Sequence, residues 1–475
     1  MELLSLTFFA FLAVVLAAYY WLPKRMQTPV LLIANYVFYM WHSAAFGALL
    51  LAGTAVSYGC GCAVARGKRK KLWLLLCIFY ILGLLFLFKY LNFTIGIFDA
   101  LLGIAHDPPF LQIGMPIGIS FFSFSMIGYV MDVYRGKIDA ERNFLRFAAF
   151  ASLFPSVLSG PINRARELLP QLSRPRSFDT LRFRNGLWRF VCGAAKKLIV
   201  ASGLAVIVDT VYAATAAYGS GTWILTAVCY SLQIYVDFSA YSDMAVGAGG
   251  MLGLTLAENF RAPYLSCSVK SFWKKWHISL TSWFREYLYF PLGGSRKGKV
   301  RTALNVLIVF AVSGLWHGAS LTFLVWGLLN GIYQVAGQAT QPWRSRVHEK
   351  LHLPKPVRLA WQGLVTFTLV TAAWVFFRAG SLTEALFILR RILLVFRDGL
   401  GIIEGLPAAR ERIVLLVGIA TVFLGDCRIA LDKRSNIARH TWCFWLCTAL
   451  LVLLTLLFGH YGPGFSAQDF VYFKF

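Results

Sequence analysis

Long uncharged apolar runs separated by short basic bursts set the pattern of this chain from its first residues. Residues 3–22 carry no charge and, as a helix, are long enough to cross about 30 Å of hydrocarbon. Glu2 is the only charge before this run, whereas Lys24 and Arg25 follow it. A cleavable leader carries its positive charge in front of the apolar run, so this segment is expected to be retained. Its polarity puts the amino terminus outside and Lys24-Arg25 in the cytosol. Residues 26–43 should then return outward and 44–65 come back. The burst at 66–71 marks the cytosol again before 72–88 goes out.

Beyond Lys89 the apolar runs cover 113–130, 148–158, 198–236, 244–257, 303–316, 318–341, 359–377, 413–425 and 441–459. Several are too short to cross or are interrupted at Pro116, Pro155, Pro161 or Pro291, which predicts re-entrant or interfacial helices buried in protein. The pattern predicts about eleven to thirteen spans. It shows no internal repeat of the transporter kind. The longest polar stretches, 163–184 and 342–358, are linker-sized, so no soluble domain is expected. The chain reads as one integral-membrane domain, with peripheral helices over 1–110, a core over 111–340, and closing helices with an aromatic tail over 341–475.

Composition removes the soluble alternatives. Charged residues make up 14% of the 475 and apolar residues 58%, whereas an ordinary soluble protein is about 25% charged. Too little charge is present to cover a soluble surface of this size. The 15 tryptophans suit the two membrane–water interfaces. The bases behind the net charge of +25 sit in short bursts, clearest at 24–25, 66–71, 164–189 and 296–301, rather than across a soluble fold. Positive-inside bias and anionic headgroups account for it, and nucleic acid is not implied. A basic cytosolic face also suits an acidic donor molecule. The cysteines lie mostly in apolar runs with no clustered partners, so neither a disulfide framework nor a metal site is expected.

Polar residues inside the apolar runs carry the chemical interest, because an ionisable group at the bilayer centre costs at least about 3 kcal/mol. His317 lies between two uncharged runs, where a lone histidine is either a packing residue or a functional one. Gln233, Asp237 and Tyr241 are spaced four apart, as are Ser239 and Asp243, which draws two polar stripes on one helix. Such stripes serve equally as interhelical hydrogen-bond glue or as the lining of a wet channel. Residues 272–287 mix Trp, Lys, His and Arg, including His277 and Arg285, and read as an amphipathic interfacial helix. The loop behind it holds Gly293, Gly294, Arg296, Lys297 and Lys299. It is either a plain cytosolic loop or a phosphate cradle of backbone amides.

Taken together, these segments resemble the membrane-bound O-acyltransferase family, in particular its bacterial branch typified by alginate O-acetylation. The resemblance runs in family order from about residue 110 to 475. It includes Pro116-Ile-Gly118, Asp132-Val-Tyr134-Arg135-Gly136, Ser159-Gly160-Pro161, 233–243, 272–294, 314–320, Trp374-Val-Phe-Phe-Arg378 and 470–475. Ala240 stands where the branch usually has Gly, and Glu286 where it usually has Asp. The implied fold is all-α and polytopic, a ring of tilted and re-entrant helices around a central tunnel. By resemblance His317 is the catalytic base and His277 the second characteristic position. Gln233, Asp237, Tyr241, Asp243, Trp316, Ser320 and Arg285 are candidates to line the tunnel. A positioned imidazole suits this chemistry, since a hydroxyl nucleophile needs a base within hydrogen-bond reach. His277, Arg285 or a backbone amide is left to polarise the thioester carbonyl.

The same resemblance implies a donor and partners. Acetyl-CoA or an acyl-carrier thioester would dock on the cytosolic side, near Arg296, Lys297 and Lys299, with no tightly bound cofactor and no metal. A hydrolase-fold partner outside the membrane would complete O-acetylation of a polysaccharide. The 290–294 loop and the Phe-rich tail favour acetyl transfer over D-alanyl transfer to teichoic acid. A lipid or polysaccharide transporter, with Asp237 and Asp243 as relay groups, is the reading from another class. It leaves the pair His317 and His277 without a purpose. The localisation expected is the inner or plasma membrane, with both termini outside. The tail holds Phe470, Val471, Tyr472, Phe473 and Phe475, too apolar to remain free in water. It is read either as an aromatic-belt anchor or as the carrier of an acyl relay at the Tyr472 phenol.

Overall fold

The computed structural model describes residues 1, 3–104, 114–432 and 437–461, which fold as helices and connecting turns without a strand among them. That is what hydrocarbon demands of a spanning chain, since backbone amides there must be satisfied within the segment itself. Among the described residues, seven helices are long and apolar enough to cross a membrane: Ala44–Ala65, Lys70–Leu102, Thr180–Ala213, Gly298–His317, Lys355–Arg378, Ala409–Ala430 and Thr441–Phe458. Shorter apolar helices, Leu6–Trp21 and Ile119–Tyr134, stand where the sequence places further crossings. The 26–43 run becomes the 14-residue helix Gln27–Met40. Fewer full-length helices than the expected about eleven to thirteen result, because several runs fold into helices too short for the count.

Two apolar runs are partitioned differently from the sequence reading. The run at 198–236 is cut at 214–219, and its first half belongs to a helix that starts earlier, in the basic stretch. Asp179 starts that helix by accepting from the Arg182 amide at 2.9 Å. Its second half continues through Asp243 as one 32-residue helix, Ser220–Met251. The polar stretches at 163–184 and 342–358 contain helices of their own, Ala165–Leu172 and Gln341–Leu351. Among the described residues, three π-helical turns interrupt the α geometry, at Phe86–Tyr90, Lys196–Ala201 and Arg285–Tyr289.

The chain divides into two compact units. The first comprises the described parts of Met1–Cys192, with Tyr241–Glu258 and Ile437–Trp445. Its core gathers phenylalanines: the fully buried Phe8 ring lies 5.9 Å from Phe38, 6.3 Å from Phe154 and 6.2 Å from Phe190. Buried Asn35 stitches two segments there. Its amide donates to the Ala149 carbonyl at 3.2 Å while its Oδ1 accepts from the Phe154 amide at 2.9 Å. After helix Phe144–Ala151 the chain runs through Pro155, Gly160 and Pro161 as buried turns. The segment is enclosed by protein.

The second unit comprises Gly193–Ala240 and the described parts of Asn259–Asn436 and Leu446–Phe475. Helices Gly298–His317 and Leu321–Ala339 cross in it through glycine. A Cβ on Gly314 would overlap the Phe323 carbonyl oxygen, and one on Gly327 would overlap the Phe310 carbonyl oxygen. Small residues allow this backbone approach, and the gain is van der Waals contact rather than water release. Gly314 lies within the last turn of the helix that ends at His317. Gly314→Ala should therefore lower the thermal midpoint of the detergent-solubilised protein by an overpacking cost of about 1–3 kcal/mol. Gly337→Ala, on a helix surface with nothing within 4 Å of the new Cβ, should leave the midpoint unchanged or raise it.

Candidate active site

Two short helices and a sharp turn carry His277. Ser268 begins the first helix, Val269–Lys275, its Oγ accepting from the Ser271 amide at 3.1 Å. The second helix, Ile278–Phe284, starts directly after His277, so the backbone must reverse within two residues. His277 does this in left-handed geometry, φ 43° and ψ 54°, which costs a non-glycine residue about 1–2 kcal/mol. Asn259 holds the turn. Its carbonyl accepts from the Ile278 amide at 2.9 Å. Its Oδ1 accepts from Ser279 Oγ at 2.6 Å and lies 3.3 Å from His277 Nδ1. One turn on, the Arg261 amide donates to the Lys275 carbonyl at 3.1 Å.

The His277 ring is 1% exposed and meets the Phe238 ring edge-on at 4.6 Å. It lies outside the seven spanning helices. Burial pushes its pKa down to about 3, because a water-poor setting disfavours the cation. The imidazole is neutral at physiological pH.

His317 closes its helix and is 4% exposed. Three aromatic rings surround it edge-on: Trp316 at 4.8 Å, Trp326 at 5.1 Å and Phe377 at 5.3 Å. Trp326 in turn stacks on Trp374 at 5.4 Å with 24° between the planes. Trp316 is also a ring neighbour of His277, at 6.3 Å. The two histidines that the sequence singles out thus share one indole inside an apolar cluster. Ser320 begins the next helix, its Oγ accepting from the Thr322 amide at 3.3 Å. The amide of buried Asn305 donates to the carbonyls of Leu292, at 3.3 Å, and Gly294, at 2.8 Å. It ties the loop after Pro291 to the helix that ends in His317. Arg285, Arg296, Lys297 and Lys299 are exposed.

The polar stripe on Ser220–Met251 is used in two ways. Gln233 and Asp237 are buried in the second unit, where Lys197 Nζ donates to Asp237 Oδ1 at 2.6 Å. Tyr241 and Asp243 belong to the first unit. There Tyr241 is 1% exposed. Asp243 accepts from Arg189 Nε at 2.9 Å, and the same guanidinium grips both Glu258 oxygens at 2.6 and 2.5 Å. Tyr472, the relay candidate, lies outside the described residues.

Three residues of this arrangement are missing from the linear reading, and a fourth, Phe377, enters it only inside Trp374-Val-Phe-Phe-Arg378, with no role of its own. Asn259 precedes His277 by eighteen positions, in an irregular stretch where no periodicity marks it. Trp326 and Phe377 are aromatic residues among many. Lys197 did leave a signal, since Lys196-Lys197 breaks an otherwise apolar run and a buried cation needs an anion.

Comparison with known proteins bears on this arrangement. Residues 137–379 match the membrane-bound O-acyltransferase family. The chain is 39% identical to a probable alginate O-acetylase of Pseudomonas putida, over 79% of this chain and 77% of that protein. It is 34% identical to a peptidoglycan O-acetyltransferase of Helicobacter pylori, over 80% and 77% respectively. A teichoic acid D-alanyltransferase of Bacillus subtilis is 26% identical over 51% of this chain and 63% of its own length.

The buried pair Lys197–Asp237 generates a stability prediction. Lys197→Met strands an uncompensated carboxylate and should cost about 3–5 kcal/mol. Lys197→Met combined with Asp237→Leu removes both charges and should recover most of that loss. Chemical denaturation of the purified protein in detergent, single variants against the double, reads the difference.

Proposed function

The chain belongs to the membrane-bound O-acyltransferase family, and from that membership we propose that it moves an acetyl group from a cytosolic thioester toward a polysaccharide outside the membrane. It is an O-acyltransferase and a multi-pass membrane protein. The observation that carries the finer reading is the pair of buried histidines sharing Trp316 as ring neighbour. In the proposed reaction His317 takes the proton of the attacking hydroxyl. The new C–O bond forms at the thioester carbonyl carbon, the C–S bond breaks, and the proton passes to the departing thiolate. The dense aromatic surround excludes water that would hydrolyse the thioester.

Both acetylating relatives are named for polymers with sugar units, alginate and peptidoglycan, which supports a polysaccharide acceptor here. D-Alanyl transfer is supported by a weaker match over a shorter part of the chain. Arg296, Lys297 and Lys299, exposed on a loop fastened by Asn305, suit the negative charge of a coenzyme or carrier donor. In this scheme the Tyr472 phenol of the aromatic tail is the first acceptor, and a hydrolase-fold partner outside takes the acetyl group from it. No cofactor needs to be held permanently.

His317→Ala should insert and fold normally yet lower acetyl transfer by about 10²-fold or more, the usual contribution of a positioned base. Radiolabelled acetyl incorporation into exported polymer measures it, and an active alanine variant would remove the central assignment. The donor side has its own check. With Lys297→Cys in a cysteine-free background, an impermeant thiol reagent should label the protein only after the cells are lysed. Labelling in intact cells would reverse the direction of transfer.

A further inference from the structure

We propose that Asn259 is a positioning residue that fixes the tautomer of His277, so that His277 meets the donor through the lone pair of Nε2 as a hydrogen-bond acceptor. The inference rests on the acyl-transfer reading above and fills a role that it leaves open, the part played by the second histidine.

A neutral imidazole has one N–H and one lone pair, and the partner of one nitrogen decides the state of the other. Asn259 Oδ1 carries no proton, and it already accepts from Ser279 Oγ at 2.6 Å. Its approach to His277 Nδ1 at 3.3 Å is therefore favourable when Nδ1 carries the hydrogen. Nε2 is then the acceptor. Ser279 matters in this argument because its hydroxyl orients the amide oxygen toward the ring.

The backbone gives Asn259 a second hold. Its carbonyl accepts from the Ile278 amide at 2.9 Å, so the residues on the carboxyl side of the left-handed turn are tied to the same asparagine as the ring. Phe238 and Trp316 pack against the ring as further walls. Burial keeps the imidazole neutral, which removes the state in which both nitrogens donate.

A lone pair at Nε2 repels a carbonyl oxygen, so His277 does not polarise the thioester. What it accepts is an N–H. The arms that carry acyl thioesters in coenzyme and carrier donors contain amides, and His277 is matched to such an amide. On this assignment His277 binds the donor and moves no proton, leaving proton transfer to His317.

The test has one arm independent of activity. Nitrogen-15 NMR of histidine-labelled protein in detergent should show His277 with its hydrogen on Nδ1, the signal being assigned by its loss in His277→Asn. Asn259→Leu should shift it toward the Nε2–H form. A wild-type His277 protonated on Nε2 overturns the inference, whatever the enzyme does. The kinetic arm, run at alkaline pH, compares Asn259→Leu with Asn259→Asp, which keeps an acceptor. The leucine variant should raise the donor KM about 10-fold, the equivalent of one buried hydrogen bond, with a smaller change in kcat. The aspartate variant should stay within about twofold of wild type. Equal damage in both, with the imidazole signal unmoved, reduces Asn259 to a structural residue and overturns the proposal. A wild-type protein without acetyl transfer would instead sink the functional reading and leave the NMR result standing.

Discussion

Polar groups needed for acyl transfer must find their partners in protein atoms, because neither hydrocarbon nor packed aromatic rings can supply them. Several buried polar side chains of the second unit answer this requirement by joining two segments. Asp237 ties its helix to the π turn of Lys197. Tyr235 donates its hydroxyl to the carboxylate of Asp426, at 2.7 and 2.9 Å from its two oxygens. Trp273 Nε1 donates to Asn330 Oδ1 at 3.2 Å, and the Asn330 amide passes on to the Trp326 carbonyl at 2.9 Å. These polar pairs are thus also fasteners. Removing one partner costs more than the bond itself, since the other is left stranded.

Aromatic packing does a different job. Around His317 the rings of Trp316, Trp326 and Phe377 stand edge-on to the imidazole, and Trp374 stacks behind Trp326. Edge-to-face contacts are directional as well as apolar, so they restrict the ring's rotation while keeping water away. The glycine crossing at Gly314 and Gly327 places His317 about one turn beyond the point where two backbones meet. His277 relies on a loop instead, and its left-handed backbone is affordable because Asn259 grips both its ring and the following amide. One histidine is held by packing, the other by hydrogen bonds.

Much of this was readable in the chain. The apolar runs gave the class and most of the spanning helices, because crossing a bilayer needs length and low charge and both are visible residue by residue. His317 stood out as a polar residue where none belongs, and the resemblance supplied its role. The polar stripe at 233–243 was visible as a stripe, yet its two halves serve different compact units, and helical spacing cannot reveal what lies across from each residue. Asn259 was invisible because its value depends on a long-range contact with a turn. The run at 198–236 misled, since its basic first helix starts within a stretch that reads as polar linker. An amphipathic start hides a helix from a hydropathy window.

The π turns have an evolutionary meaning. Each of the three, at Phe86–Tyr90, Lys196–Ala201 and Arg285–Tyr289, accommodates one more residue than an α turn, and such bulges gather at functional sites. One residue rotates everything beyond it by about 100° around the helix axis, since a full turn takes 3.6 residues. A π turn is therefore a place where a helix can take up one extra residue by bulging rather than by turning its whole far end. Lys197 sits inside such a turn, opposite Asp237. A relative lacking the extra residue would present a neighbour of that lysine to the carboxylate, so alignments across the family should place single-residue gaps here, and the acid and the base should be gained or lost together with the gap.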